Sequence, residues 1–580
     1  MLSSKFEFRI GTANDVPDVI RLIERRIEWM DRNGINQWNK NHYRERYPDS
    51  YYVQTAQKEQ LYVLADKESG RIIAGAVLLK DDYRWGESDD KAYYVHNLVA
   101  DIDVKDAGKE IVRRIEVYAK QKSMRYVRLD CIVGNQRLNA WYEVLGYEYV
   151  RTITDGEYQG NLREKELMTD IRGIIGKLKA ESDNFYIYDE CWIKKCVSRL
   201  QSCFPQIKFL YSIKCNNNRH VMRSVFDQGL GADAASVSEV HLATECGLPK
   251  DEIYYSAPGK TRKDIEEAFG KAIIIADSIN EIKLIDSIAR ERGVIPEIGI
   301  RLNPAFSFYS EKGIPSKFGV DEAQAIEFIK SNQCHNVKIC GIHVHLRSQE
   351  LNPSVLERYY KKMIDLAERF IEICGPLKYV NMGSGMGIQY SKANPTLNVS
   401  ELAETVKCKL LKFKTAHPDT LLIIETGRYA VGECGMYVTT VLDRKVSQGK
   451  TFVILKNTLN GFARPSLERL VAHYSPEEKP AGCEPLYSYK NAFDFLTLNK
   501  EPGETERVTL VGNLCTFSDV VAEGIEMPRL EPGDTVIITN AGAYGAVLSP
   551  MQFSSQCKPE EFFVSTEGIV WNSNTVRDLH

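Results

Sequence analysis

From residue 207 onward, short apolar runs alternate with stretches of helical period. The runs cover 209–213, 232–235, 253–256, 272–276, 297–302, 339–346, 379–382 and 421–424. Each gap leaves room for one helix, and 236–246, 261–271 and 352–374 carry apolar residues at three- and four-residue spacing. Eight strand–helix units in succession predict a (β/α)8 barrel. In that fold, functional side chains gather at the C-terminal ends of the strands. The unusual polar residues stand there: Lys214, Asp233, Arg301, Asn303, His343, His345, the glycines 383, 385 and 387, Glu425 and Arg428. Random placement would not choose strand ends so often.

After residue 430 the helical period fades. Residues 438–442, 451–455, 507–511 and 534–539 read as strands, with turns such as Glu531-Pro-Gly-Asp534 between them. They predict a C-terminal β-domain, with 184–205 pairing into it. Ahead of the barrel, 6–10 alternates as a strand, and Asn14 and Asp15 cap a helix over 16–30. A hairpin over 60–65 and 71–79 follows, then a strand over 93–99, a helix over 106–122 and a strand over 126–133. A short helix over 139–145 and a strand from Tyr147 close this part. The polar stretch 161–182 reads as a helical linker. The expected organisation is therefore 1–160 as a first α/β domain, 161–183 as linker, 184–430 as barrel and 431–580 as β-domain.

Composition narrows the classes. A chain of 580 residues with 43% apolar and 27% charged content is an ordinary multidomain globular protein. A net charge of −4 and a pI near 6.3 give no surface for nucleic acid or membrane. The first residues lack an apolar signal region, and no apolar run reaches the ~18 residues of a membrane span. The 14 cysteines form no CxxC pair, which predicts reduced thiols in a cytoplasm, with neither a disulfide framework nor a metal site.

A lysine closing an apolar strand is costly without a partner or a task. Pyridoxal phosphate (PLP) chemistry supplies a task. It needs a lysine for the aldehyde, met by Lys214, and a carboxylate at the pyridine nitrogen, met by Glu425. The phosphate needs backbone donors and a cation, met by Gly383, Gly385 and Arg428. His345 offers a flat ring to cover the cofactor.

In their order, these residues resemble the fold-type III PLP decarboxylases, the ornithine/diaminopimelate decarboxylase family, over residues 184–580. The resemblance rests on Tyr211-Ser-Ile-Lys214-Cys-Asn216, Gly231-Ala-Asp233, Ser316-Lys-Phe-Gly319, His343-Val-His345-Leu-Arg-Ser348-Gln349, Glu425-Thr-Gly427-Arg428, Gly512-Asn-Leu-Cys515 and Ala541-Gly-Ala-Tyr544. It implies an amino-acid decarboxylase that binds PLP also through Asp233, Ser348, Gly427 and Tyr544. It implies a homodimer with shared sites, in which catalytic Cys515 and substrate-binding Asp519 complete the partner's site. Arg464 resembles the family's arginine for a distal carboxylate, and Glu468 stands where diaminopimelate enzymes carry a substrate-binding tyrosine. Thr516 replaces the acid that receives a distal amine, so a free diamino acid is poorly matched. Alanine-racemase-type enzymes share the barrel and the lysine, and a PLP racemase or epimerase whose first domain is a non-catalytic scaffold is the alternative; the Cys515 motif disfavours it.

Residues 5–155 resemble the GNAT acyltransferases. The closest motif is Leu129-Asp-Cys-Ile-Val-Gly-Asn135 followed by Trp141-Tyr142-Glu-Val-Leu-Gly146-Tyr147. The resemblance implies that Asn135 supports acetyl-CoA, that Tyr142 protonates the departing thiolate, and that the turn around Gly108 cradles the pyrophosphate. Glu110 replaces a small residue of that turn and is expected to face the pyrophosphate and weaken its binding. Together the two halves predict a bifunctional enzyme that decarboxylates an amino acid or derivative and N-acetylates its substrate or product.

Overall fold

The eight apolar runs form one closed parallel sheet. In a computed structural model, the strands Ile207–Ser212, Gly231–Ala234, Ile253–Ser256, Ile273–Ala276, Glu297–Asn303, Lys338–His343, Tyr379–Asn381 and Leu421–Thr426 pair in chain order, and the last pairs with the first. The structure describes residues 5–573 except 87–90, 123, 157, 168–170, 332, 476, 478–483, 490, 499, 501–502 and 567. Alternation along the strands sorts the side chains. Leu210, Tyr254, Ile275, Cys340, Tyr379 and Ile423 form a small cluster of their own inside the barrel, apart from the large outer core under the helices. Tyr379 fits because Gly299 and Gly341 face it; a Cβ on Gly341 would lie 2.3 Å from its ring. Overpacking there would cost roughly 1–3 kcal/mol.

The chain divides into two compact units, Met1–Thr169 and Asp170–His580. In the second, Phe185–Asp189 precedes the barrel but leaves it. It pairs with Gly435–Ser447 and Glu560–Val564 in the β-domain. Helix Ile171–Leu178 packs on the same sheet through Ile171, Ile175 and Leu178.

The first unit is a seven-stranded sheet in the order Phe6–Ile10, Leu61–Asp66, Ile72–Leu79, Ala92–Ala100, Tyr126–Ile132, Tyr158–Glu166, Glu148–Asp155. One expectation fails here. Residues 161–166 are not a helical linker but the second half of strand Tyr158–Glu166, hydrogen-bonded between two neighbours. The strand's outward polar residues are satisfied by ion pairs such as Arg128–Glu164 and Arg125–Glu166, and that polarity disguised it. The sheet therefore continues past residue 160, and 168–170 lie outside the described residues.

One detail of this sheet builds a site. Ala92–Ala100 and Tyr126–Ile132 run parallel and pair from Ala92↔Tyr126 to Val95↔Leu129, and no further. Asn97, in the middle of its strand, has φ +52°, and the register to Ile72–Leu79 shifts beside it. A bulge of this kind bends a strand and re-aims its side chains. The splayed strand ends bound a cavity of about 860 Å3.

Candidate active sites

Strand Ile207–Ser212 ends in one turn of 3-10 helix, Ile213–Cys215, which carries Lys214 at the barrel mouth. The turn is held from the β-domain: Asn216 donates to the Gly542 carbonyl (2.8 Å), and the Tyr544 N–H donates to the Cys215 carbonyl (2.7 Å). The Lys214 ammonium donates to Asp233 Oδ2 at 2.8 Å. Asp233 is buried and also accepts from the hydroxyls of Ser212 (2.8 Å) and Ser256 (2.7 Å). Burial opposes the charge on Lys214, but the carboxylates of Asp233 and Glu425 outweigh it and hold the ammonium above its ordinary value. The lysine side chain keeps 40% of its surface accessible, so it can be reached.

Glu425 ends strand Leu421–Thr426 and is 2% exposed. Asn381 donates to its Oε1 at 2.9 Å, and His343 Nε2 lies 3.0 Å from the same oxygen. Burial opposes its charge; the facing His343 and Lys214 prevail and keep it ionised well below the usual carboxylate range. His345 Nδ1 lies 3.6 Å from Oε2 and accepts from the Ser384 N–H (3.1 Å). Burial pushes this imidazole down to about 4, so it is neutral.

Gly383 has φ +63°, and a Cβ there would lie 2.3 Å from the Val344 carbonyl. Only glycine makes this turn, which presses the 383–385 backbone against His345. The Gly383 N–H itself is spent on Asn381 Oδ1 (2.9 Å). Gly385 fits under Leu356 and Phe308, and Gly427 packs on Cys215. Ser348 is half-buried in the loop after His345.

Arg428, buried, donates to Gln349 Oε1 (3.1 Å), pairs with Glu484, and stacks on Tyr544 and Tyr390 at 5.2 and 5.7 Å. Among the described residues its Nε has no partner. A carboxylate thus already sits on the cation assigned to the phosphate. These residues fit PLP: a reachable lysine, a buried ionised carboxylate, a neutral ring and a buried cation that binds an oxyanion.

Two residues expected to bind substrate, Arg464 and Asp519, are already engaged within the protein. Arg464 is 1% exposed and its fork is engaged by Tyr390 (2.9 Å), Ser488 (2.8 Å) and the Ala543 carbonyl (3.3 Å). A substrate carboxylate would have to displace one of them. Asp519 is 2% exposed and accepts from Thr458 Oγ1 (2.6 Å) and the N–H groups of Leu459 and Leu514 (both 3.0 Å). It ties the Cys515 loop to the sheet rather than presenting itself to substrate. Glu468 is half-buried, with one oxygen on the Ala492 N–H (3.1 Å), and burial pushes its carboxyl up to about 7. Cys515 is exposed, 3.8 Å from Ser554 Oγ, next but one to a fully exposed Phe517.

Sequence reasoning missed Asn381, Ser256 and Glu484. The first two end barrel strands, so the strand-end rule that found Lys214 reaches them too. Glu484 lies in a stretch with no regular period and carried no signal.

Comparison with known proteins agrees with this geometry. Residues 191–432 match the pyridoxal-dependent decarboxylase, pyridoxal binding domain, and residues 25–147 match the acetyltransferase (GNAT) family. The chain is 33% identical over 391 residues to the L-glutamyl-[BtrI acyl-carrier protein] decarboxylase of Niallia circulans, covering 65% of this chain and 87% of that one. The chain belongs to the PLP-dependent decarboxylase family. It is also 29% identical over 406 residues to diaminopimelate decarboxylase of Aquifex aeolicus, covering 68% and 90% of the two chains. Against the crystal structure of diaminopimelate decarboxylase from Helicobacter pylori complexed with L-lysine, the TM-score is 0.59 at 26% identity, over 69% of this chain and 95% of that one. The chain carries its GNAT domain N-terminal to the barrel.

In the GNAT unit, Gly108 opens helix Ala107–Gln121, with Ala100 and Trp141 at ordinary contact. Glu110 does not face the cavity that Lys105, Gly108 and Lys109 line. Its carboxylate turns along its own helix to Arg113 (3.1 and 3.0 Å) and Arg114 (2.8 Å), which removes the expected repulsion. Asn135 caps helix Gln136–Val144 through the Leu138 N–H (3.0 Å) and donates to Gln37. Tyr142 is buried against Trp141 and Tyr147 and lines the cavity; burial pushes its hydroxyl well above the ordinary tyrosine value. Among the described residues, no helix is long and apolar enough to cross a membrane.

Proposed function

We propose that this chain is a bifunctional enzyme: a PLP-dependent decarboxylase of an amino acid or derivative, with an acetyl-CoA-dependent N-acetyltransferase acting on its substrate or product. The observation that carries the first activity is the Lys214–Asp233 pair set opposite the buried, ionised Glu425. Bound PLP supplies an electron sink for the carbanion left when CO2 departs. Lys214 would hold its aldehyde and Glu425 the proton on its ring nitrogen. Lys214 must first shed a proton, and Asp233 is the carboxylate bonded to it. Neutral His345 would cover the ring without adding charge. Arg428 would hold the phosphate, with Glu484 withdrawn, and the 383–385 turn, whose first two N–H groups are already bonded, would give it room to approach.

The substrate reading rests on what the site lacks. Thr516 puts no acid where a distal ammonium would bind, and Arg464 is already engaged. An α-amino acid whose far end is neutral or masked suits this site. The relative from Niallia circulans decarboxylates a glutamyl group on an acyl-carrier protein, which is one such substrate. A homodimer with shared sites accounts for the exposed Cys515 and Phe517.

Purified protein with PLP and pools of free and carrier-linked amino acids should release CO2, read by mass spectrometry as an amine product. With acetyl-CoA present, an acetylated species should appear. Mixed Lys214→Ala and Cys515→Ala subunits should regain part of the activity; none after proven subunit exchange would mean each site belongs to one chain.

A further inference from the structure

The GNAT cavity contains a second chemical group that neither activity above assigns. His96 lines it, on the strand segment re-aimed by the bulge at Asn97, just past the last pair with the neighbouring strand. Behind His96, its Nε2 faces Asp82 Oδ2 at 3.0 Å. Asp82 has 4% of its side chain exposed and is oriented by the Arg84 N–H (3.1 Å) on its other oxygen. A carboxylate at Nε2 keeps the proton on that nitrogen and leaves Nδ1 as the basic one.

The charges around it select an acceptor. Among the described residues, Asp82, Asp130 and Asp155 share one guanidinium, Arg84, at 3.9, 2.9 and 3.6 Å, and the neutral hydroxyls of Tyr158 and Tyr83 donate to Asp130 and Asp155. The group stays net negative. Asp82, His96 and Asp130 could together hold a cation, and Arg84 already occupies that role. The same cavity is also lined by Lys105 and Lys109, which flank Gly108 in the chain, and by Arg137. One part of the cavity therefore suits an anionic pyrophosphate and the other a cationic amine.

Resting on the reading that this unit transfers an acetyl group, we propose that His96, held by Asp82, is the catalytic base, and that the acceptor is a primary ammonium drawn in by the Asp130–Asp155 side. His96 Nδ1 takes one proton from the ammonium. The freed nitrogen attacks the thioester carbonyl; a C–N bond forms and the C–S bond breaks. The nitrogen's second proton leaves with the thiolate, delivered through Tyr142, which lines the same cavity. The products are the N-acetyl amine, CoA thiol and one proton passed from His96 to water. An amine product of decarboxylation has this chemistry.

The test uses the full chain with acetyl-CoA and a panel of primary amines, putrescine, 1,3-diaminopropane and 4-aminobutyrate among them, following CoA thiol release. His96→Gln should lower transfer at neutral pH about 100-fold or more, with acetyl-CoA affinity by calorimetry and the melting profile unchanged. Its remaining rate should climb with pH without levelling where histidine titrates. Free imidazole should restore part of the rate in His96→Ala, and Asp82→Asn should slow transfer less than His96→Gln. Transfer at the wild-type rate in His96→Gln would overturn the base while leaving the acetyltransferase reading intact. Failure to bind acetyl-CoA would overturn both. Acetyl-CoA binding with no amine acetylated would overturn the base and its acceptor.

Discussion

The barrel mouth and the GNAT cavity use the same kind of pair, a basic nitrogen against a carboxylate, in opposite ways. At the mouth, Lys214 faces Asp233, and Asp233 is itself locked by Ser212 and Ser256. Glu425 is fixed by Asn381 and His343. All these groups come from strand ends, and most of their capacity is spent inside the protein. In the GNAT cavity Asp82 and Asp130 are fixed in the same way, while Asp155 keeps 42% of its side chain accessible. At the barrel mouth the group left reachable is the basic one, Lys214, whereas in the GNAT cavity it is a carboxylate, Asp155.

The contrast can be broken most directly at Lys214. Lys214→Ala should take decarboxylation to background and remove the visible band of the cofactor, with acetyl-CoA affinity unchanged. A retained band would place the cofactor elsewhere. Glu425→Gln should keep the cofactor but slow decarboxylation about 100-fold, near 3 kcal/mol of barrier, because a neutral amide holds the ring-nitrogen proton poorly. Wild-type turnover would assign that proton to another group.

Smaller effects sharpen the comparison. Glu484 sits on Arg428, where the phosphate would compete with it. Glu484→Gln should tighten PLP by roughly fivefold, about 1 kcal/mol, read by titrating apoprotein; unchanged affinity would separate Arg428 from the phosphate. The smallest effect is on stability. Glu468 titrates at about 7 when folded, because burial disfavours its charge, against about 4.3 in an unfolded chain. A raised carboxyl contributes stability fully below about pH 4 and loses it as pH rises through about 7. Glu468→Gln should therefore flatten the fall in thermal midpoint between about pH 5 and pH 8, by on the order of 1 kcal/mol after allowing for its partial exposure. An equally steep fall would mean that other groups carry it.

The barrel was legible because its signals are local. Eight apolar runs, most of them followed by an unusual residue, fix the strands, and Lys214, Asp233, His345 and Glu425 meet at one barrel mouth. What stayed hidden depends on which way a side chain turns. Glu110 has the spacing of a pyrophosphate contact, yet arginines three and four residues on draw it away. Asp519 occupies a motif position but is consumed by its own loop. Tyr158–Glu166 lacks apolar alternation because ion pairs satisfy its flank. His96 escaped notice because a histidine in an apolar strand gains meaning only when Asp82, on a separate loop, arrives beside it.

Strand Phe185–Asp189 has a consequence for how the chain is made. It is synthesised before the barrel, yet its Tyr188 hydroxyl bonds Glu561, 373 residues later. The turn bearing Lys214 likewise waits for Gly542, 326 residues beyond Asn216. At about 5–20 residues per second of translation, both stay unpartnered for on the order of half a minute after they emerge. The strand is an open edge for that time, and the lysine turn cannot take its final shape. Shaping of the Lys214 turn is thus one of the last events of folding. A ribosome that stops short of the β-domain leaves a chain with its barrel strands complete and this turn without its bonds to Gly542 and Tyr544.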